Sequence, residues 1–223
     1  MPLQLELNTP VSLLALIGGG EFSFGETREI DELLMGAMPA DKRSVAFLPT
    51  ASGSAEYAAH LGKYLHTIDP GVETVNIPIY RGRDARRGKS LSQILAAGMV
   101  YLGGGVTNPL LATLRESPAD MSMREAAANG AVIAAIGASA SAFGVHAHDM
   151  RGTAPSLPAL GWLAGTVIEA GFDPANDTPL RRLLSLPDVR LGIGIPRGTA
   201  LLIGPGGEAQ IAGSGQVAVF RKG

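Results

Sequence analysis

The sequence predicts an α/β protein of the doubly wound kind, a mainly parallel sheet with helices on both faces. Three observations predict it. Short continuous apolar runs recur along the chain, as strands buried on both faces require. Helical periodicity fills the stretches between them. Glycines follow several of the runs, where strands would turn into helices. A chain of 223 residues can bury one sizeable core, and its 30 glycines fit many tight turns rather than a low-complexity segment.

The elements follow in order. "SLLALI" at 12–17 is the first buried strand; it leads into "GGGEFSFGE", and "TREIDELLMGAM" then places Ile30, Leu33, Leu34 and Met38 on one helical face. "SVAFLP" at 44–49 is the second strand, followed by a helix from about Ala55 to Ile68, and "TVNIPI" at 74–79 is the third. "MVYLGGG" at 99–105 is a fourth strand, after which Pro109 in "TNPLLATLRES" suits the first turn of a helix. "AVIAAIG" at 131–137 is the fifth. Beyond Asp149 the texture changes to loop formers, "MRGTAPSLPALGW", then "GTVIEAGF", the helical "TPLRRLLSL", and strand-like "RLGIGI", "TALLIG", "EAQIAG" and "QVAVFR". Pro-Gly and Gly-Ser turns between these runs predict C-terminal β-hairpins at the sheet edge. No linker divides the chain, so 1–223 reads as a single α/β domain.

Composition narrows the function. A formal net charge of -2 offers no field that would collect nucleic acid or an anionic membrane. The absence of cysteine excludes disulfides, thiolate metal sites and a cysteine nucleophile. "MPLQLELNTP" has no basic n-region and "VSLLALIGGG" is too short to span a bilayer, so the expected location is cytoplasmic. The uncharged stretch 126–145 contains Asn129, Gly130, Gly137, Ser139 and Ser141; it divides into helix end, buried strand, sharp turn and helix start rather than a membrane span.

In an open parallel sheet, ligands bind at the carboxyl ends of the strands, so the loops there are the candidates. "IGGGEFSFGE" matches a dinucleotide fingerprint at Gly18 and Gly20 only, since Ser23 takes the third glycine position and no acid closes the second strand. No cofactor is expected from it. "YRGRDARRGK", Tyr80 to Lys89, reads as a solvated loop or as an electrostatic attractor for a carboxylate-rich substrate. "GASASA", Gly137 to Ala142, has the form of a nucleophile elbow with Ser139 at its centre and Ser141 in place of the second glycine. The amide of Ala140 would then donate to an oxyanion, with a partner amide from Gly103 to Gly105. A purely structural turn fits the same letters. "HAHD" is a weak metal-ligand signal, and no metal is expected.

At the level of the whole chain, "LIGGGE", "VAFLPTASG", "VYLGGGVTNPLL", "GAVIAAIGASASAFG", "GWLAGTVIEAGF" and the "LGIGI", "TALLI", "IAGSGQVAVF" series occur in the order seen in the serine peptidases that include dipeptidase E and cyanophycinase. The chain resembles that family. The resemblance implies a flavodoxin-like, class I glutamine-amidotransferase-like fold and a hydrolase of aspartyl or β-aspartyl peptides. It also implies Ser139 at the nucleophile position of the family's Gly-x-Ser-Ala-Gly-Ala, and an oxyanion hole of Gly104 or Gly105 with Ala140. The family's general-base histidine falls on Gly171 in "VIEAGF", while Glu169 remains as an acid or base nearby. Pro196 and Arg197 after "GIGI", and Val106 after the glycines, are further departures.

A serine of ordinary pKa needs an adjacent base, and loss of the triad histidine costs on the order of a millionfold in turnover. His60 and His66 read as surface residues of the helix after the second strand. His146 and His148 would lie roughly 10 Å or more down a continuing helix from Ser139. The expectation is therefore a catalytically impaired homologue, or pseudoenzyme, that binds a small peptide or acidic small molecule. The alternative is an active serine hydrolase with a non-standard base. A homodimer stays open as an assembly.

Overall fold

The computed structural model describes residues 3–223. From the N-terminus run β1 (Leu3–Gln4), β2 (Leu13–Ile17), α1 (Arg28–Ala37), β3 (Ser44–Leu48), α2 (Ala55–Ile68), β4 (Glu73–Asn76) and α3 (Gly88–Ala96). The middle holds β5 (Met99–Leu102), α4 (Thr107–Leu114), α5 (Pro118–Ala128), β6 (Val132–Ile136) and α6 (Ala138–Ser141). Then come β7 (His146–Ala147), β8 (Leu157–Pro158), β9 (Thr166–Ala170), α7 (Thr178–Leu184), β10 (Leu191–Ile195), β11 (Thr199–Ile203), β12 (Glu208–Gly213) and β13 (Ala218–Arg221).

The main sheet has the order β1-β12-β11-β2-β6-β5-β3-β4. Its β2, β6, β5, β3 and β4 are parallel, while β11, β12 and β1 continue it antiparallel. The α/β reading holds, as does the C-terminal hairpin of β11 and β12. The other late strands leave the main sheet: β9 and β10 pair in parallel and β13 closes them antiparallel as a separate sheet.

Alternation within the strands explains the continuous apolar runs. Leu14 and Leu16 of β2 enter one buried cluster, while Ala15 and Ile17 enter the cluster on the opposite face. Likewise Ile133 and Ala135 of β6 face one side, and Val132, Ala134 and Ile136 the other. Both faces are covered, so polar residues have no place in these strands. Three local expectations are corrected. Leu33 is not on the buried face of α1 but is 49% exposed, with Met35 taking its place inside. Strand β4 ends at Asn76, ahead of Pro78, which has no N–H for a ladder. The helix after β6 stops after four residues, because Val145 leaves it to donate its N–H to the Thr166 carbonyl at the start of β9. Among the described residues no helix is long and apolar enough to cross a membrane.

One buried acid has a consequence for stability. Asp31 of α1 is 1% exposed; its Oδ2 accepts hydrogen bonds from Thr27 Oγ1 at 2.7 Å and Tyr64 Oη at 2.9 Å, while Oδ1 has no partner among the described residues. Burial outweighs those hydrogen bonds and raises its pKa from the ordinary 3.8 to about 6. The folded state therefore holds this proton more tightly than the unfolded chain. Its stabilising contribution is complete below pH 3.8 and is lost as pH rises through about 6, amounting to roughly 3 kcal/mol. Denaturant unfolding of wild type and Asp31→Asn from acid to neutral pH checks this. The stability difference should move toward the wild type by roughly 2–3 kcal/mol as pH falls from about 7 to about 4. A pH-independent difference contradicts it.

Candidate active site

The loops at the carboxyl ends of β2, β5 and β6, the start of α2 and the turn after β10 enclose a cavity of about 630 Å³. Glycines form much of its wall: Gly19 and Gly20 after β2, Gly104 and Gly105 after β5, and Gly137 after β6. Phe22 and Tyr57 supply the apolar side, with ring centroids 6.0 Å apart in a stacked arrangement. Behind them Tyr57 packs on Phe47 at 5.0 Å, and Phe22 on Tyr64 at 5.2 Å, so the aromatic wall is anchored in the core. Ser23, Ser54, Glu21, Glu56, His60 and Arg197 supply the polar lining.

The turn from β6 into α6 decides what chemistry this cavity can do. A nucleophile elbow holds its reactive residue at the apex of a strained strand-to-helix turn. Here the residue directly after β6 is Gly137, with φ 60° and ψ -126°, a conformation that costs any L residue strain. Gly137 lines the cavity. Ser139 lies two residues further on, inside α6, and is completely buried. Its hydroxyl donates to the Gly103 carbonyl at 2.6 Å, which ties α6 to the loop after β5. Ser141 makes a matching tie on the other side, its Oγ accepting the Ala170 N–H at 3.1 Å. Of the expected oxyanion donors, Gly104 and Gly105 line the cavity, whereas Ala140 is fully buried in α6.

The sequence profile of Peptidase family S51 matches residues 14–211. The chain belongs to peptidase family S51. This S51 chain is 30% identical over 154 residues to the uncharacterized peptidase YgaJ of Bacillus subtilis (strain 168), a match covering 67% of the chain and 64% of that relative. The matched stretch is thus a little under two thirds of the relative's length. Among solved structures, a peptidase from an acI-B1 Actinobacterium superposes with a TM-score of 0.81 at 22% identity, covering 96% of this chain and 93% of that one. A Listeria monocytogenes EGD-e protein described as a candidate peptidase E superposes with a TM-score of 0.59 at 17% identity, covering 96% and 100%. These two likenesses confirm the fold.

In this S51 protein the remaining expected residues lie apart from the cavity. Glu169 is not among the residues lining the cavity and pairs with His148, Oε2 to Nε2 at 2.6 Å. His146 pairs with both carboxylate oxygens of Asp188 at 2.9 Å. Both histidines thus engage carboxylates, and the hydroxyl of Ser139 engages a carbonyl. Asp149 organises the loop beyond them, accepting from Asn108 Nδ2 and from the amides of Arg151, Thr153 and Ala154. The Asn108 hydrogen bond foremost holds its carboxyl well below the usual range. Gly171 follows β9 with φ 74°, and only the Gly18 carbonyl, 3.6 Å away, would approach a Cβ built there.

His60 is exposed on α2, as expected of a surface histidine, and it also lines the cavity. Tyr57 and His60 lie three residues apart on α2, and Ser54 is the residue just before it, so all three reach the cavity from that helix's start. Burial pushes the Tyr57 phenol up, the Gly104 amide beside it pulling the other way, so the hydroxyl stays protonated at neutral pH. Arg197 is fixed by Glu26, whose Oε2 lies 3.1 Å from its Nη2 and also accepts the Glu21 N–H at 2.9 Å. That carboxylate closes the loop of 21–26 over the rim of the cavity.

Proposed function

We propose that this S51 protein is a binding homologue of the dipeptidase E and cyanophycinase type whose hydrolytic machinery is lost. One observation carries the reading: the apex of the elbow, the point that faces the cavity, is Gly137, and a glycine has no nucleophile to offer. In this reading the family's Gly-x-Ser-Ala-Gly-Ala overlays Ala135 to Ala140, with Ser139 in the place of the second glycine. The buried hydroxyl of Ser139 and the Oγ of Ser141 then serve as ties between α6 and its neighbours. Gly171 supports the reading independently, because the position of the general base also lacks a side chain that can take a proton. What remains is a peptide-sized cavity with an aromatic wall, backbone glycines and a polar lining that includes Arg197, His60, Glu21 and Glu56. Those features suit a small peptide or an acidic small molecule. The reading is tested by a fluorophosphonate probe, which should modify the wild type no more than the Ser139→Ala variant.

A further inference from the structure

The basic turn between β4 and α3 takes no part in the cavity beneath the elbow, and the fold gives it a shape of its own. Between Tyr80 and Lys89 it carries Arg81, Arg83, Arg86, Arg87 and Lys89 against the single acid Asp84, in a chain whose net charge is -2. Asp84 is 5% exposed, and its Oδ2 accepts the amide N–H groups of Tyr80 at 3.2 Å and Arg81 at 3.1 Å. Its Oδ1 lies 2.8 Å from Arg87 Nη2. The one negative charge is therefore spent on closing the turn and holding Arg87. Arg83 touches it only at 3.8 Å with a side chain 74% exposed, and Arg81 is exposed with no ion pair among the described residues. The turn is thus closed by its own carboxylate, and it presents guanidinium groups to solvent.

These arginines line a cleft of about 420 Å³ with Gly53, Pro78, Tyr80 and the Asp84 carboxylate, which is already engaged by the turn amides and Arg87. Gly53 belongs to the loop after β3, and the next residue, Ser54, lines the main cavity. Thr50 Oγ1 donates to the Ile79 carbonyl at 2.8 Å, so that loop is tied to the basic turn. The two clefts thus share one wall, both at the end of the sheet where ligands of open parallel sheets bind. Guanidinium forks match the paired oxygens of carboxylates and phosphates. We infer that the Arg81–Arg83–Arg87 cleft is a subsite for a ligand bearing two or more neighbouring anionic groups, placed to hold the charged end of a molecule that enters from the main cavity. The inference goes beyond the reading of the elbow and holds whether or not the elbow reacts.

Binding of tri-aspartate and of inorganic tripolyphosphate to the intact protein, followed by calorimetry, tests it and separates the two sources of such charge. At least one should bind with Kd below about 1 mM at low salt. The tighter of the two names the ligand chemistry. Arg81→Gln/Arg83→Gln should weaken that binding by roughly tenfold or more, and raising salt from about 50 to about 500 mM should weaken it for the wild type. Both side chains are exposed, so the variant should melt as the wild type does. Arg115→Gln/Arg221→Gln, with the same net charge, should bind as the wild type does. Absence of binding by both ligands, equal affinity in wild type and Arg81→Gln/Arg83→Gln, equal loss in the control pair, or salt-independent affinity would each overturn the inference.

Discussion

Gly137→Ser combined with Gly171→His is expected to give an elbow that reacts with a fluorophosphonate, with the adduct at position 137. Among the described residues a Cβ built on Gly137 meets no atom within 4 Å, and one on Gly171 meets only the Gly18 carbonyl at 3.6 Å, so the first atom of each side chain has room. The positive φ at each site, 60° and 74°, imposes strain of about 1–2 kcal/mol per substitution. That cost falls on stability, whereas the gain falls on reactivity. A serine with a base beside it outperforms one without by a factor that reaches on the order of a millionfold in intact triads. Even a poorly aligned pair should label at least about a hundredfold faster than Gly137→Ser alone. Adding Ser139→Ala to the double variant should leave the rate unchanged, because that hydroxyl is buried against the Gly103 carbonyl. Labelling rates with residue mapping decide the matter. An adduct that disappears with Ser139→Ala would contradict the placement of the apex.

Trp162→Ala should cost about 4 kcal/mol of unfolding free energy, the largest stability loss expected of a single side chain here. Trp162 is completely buried, packs edge-on against Phe143 at 5.1 Å, and its Nε1 donates to Asp120 Oδ1 at 3.0 Å. Arg124 sits over the ring at 4.9 Å and also bonds Asp120 and the Leu160 carbonyl. Truncation would open a cavity and leave a buried carboxylate oxygen without its donor. Trp162→Phe keeps most of the packing and should lose about half as much. Because Trp162 fastens the segment that leads into β9, the end of that strand and Gly171 should exchange amide protons faster in the alanine variant. Denaturant midpoints for the three proteins check the order; an alanine variant as stable as the phenylalanine one would contradict it.

How far the sequence carried can be judged from particular elements. The helix Ala55–Ile68 was legible to the residue, since a strand, a polar turn and an uninterrupted amphipathic run bracket it. The parallel strands were legible because burial on both faces leaves an unbroken apolar signature. Leu33 was misplaced because a helical face of period 3.6 is broad, and the sequence does not say which edge of it meets solvent. The early stop of α6 was hidden, since it depends on the pairing of Val145 with Thr166, a contact between distant positions. The elbow shows the limit most clearly. In "GASASA" small residues alternate with a period of two, so a register shifted by two residues reads almost the same. The register proposed above rests on the backbone dihedrals, a positive φ at Gly137 and a helical Ser139, which the letters do not show. His60 and Arg197 came into the site through tertiary placement, from an ordinary helix and from a turn after β10.

The elbow is also where the central claim is most exposed to experiment. Wild-type protein held with a saturating fluorophosphonate until a genuine serine hydrolase would be fully modified, then weighed intact and mapped by peptide, should keep its unmodified mass. Stoichiometric modification at Ser139, absent in Ser139→Ala, would contradict the account.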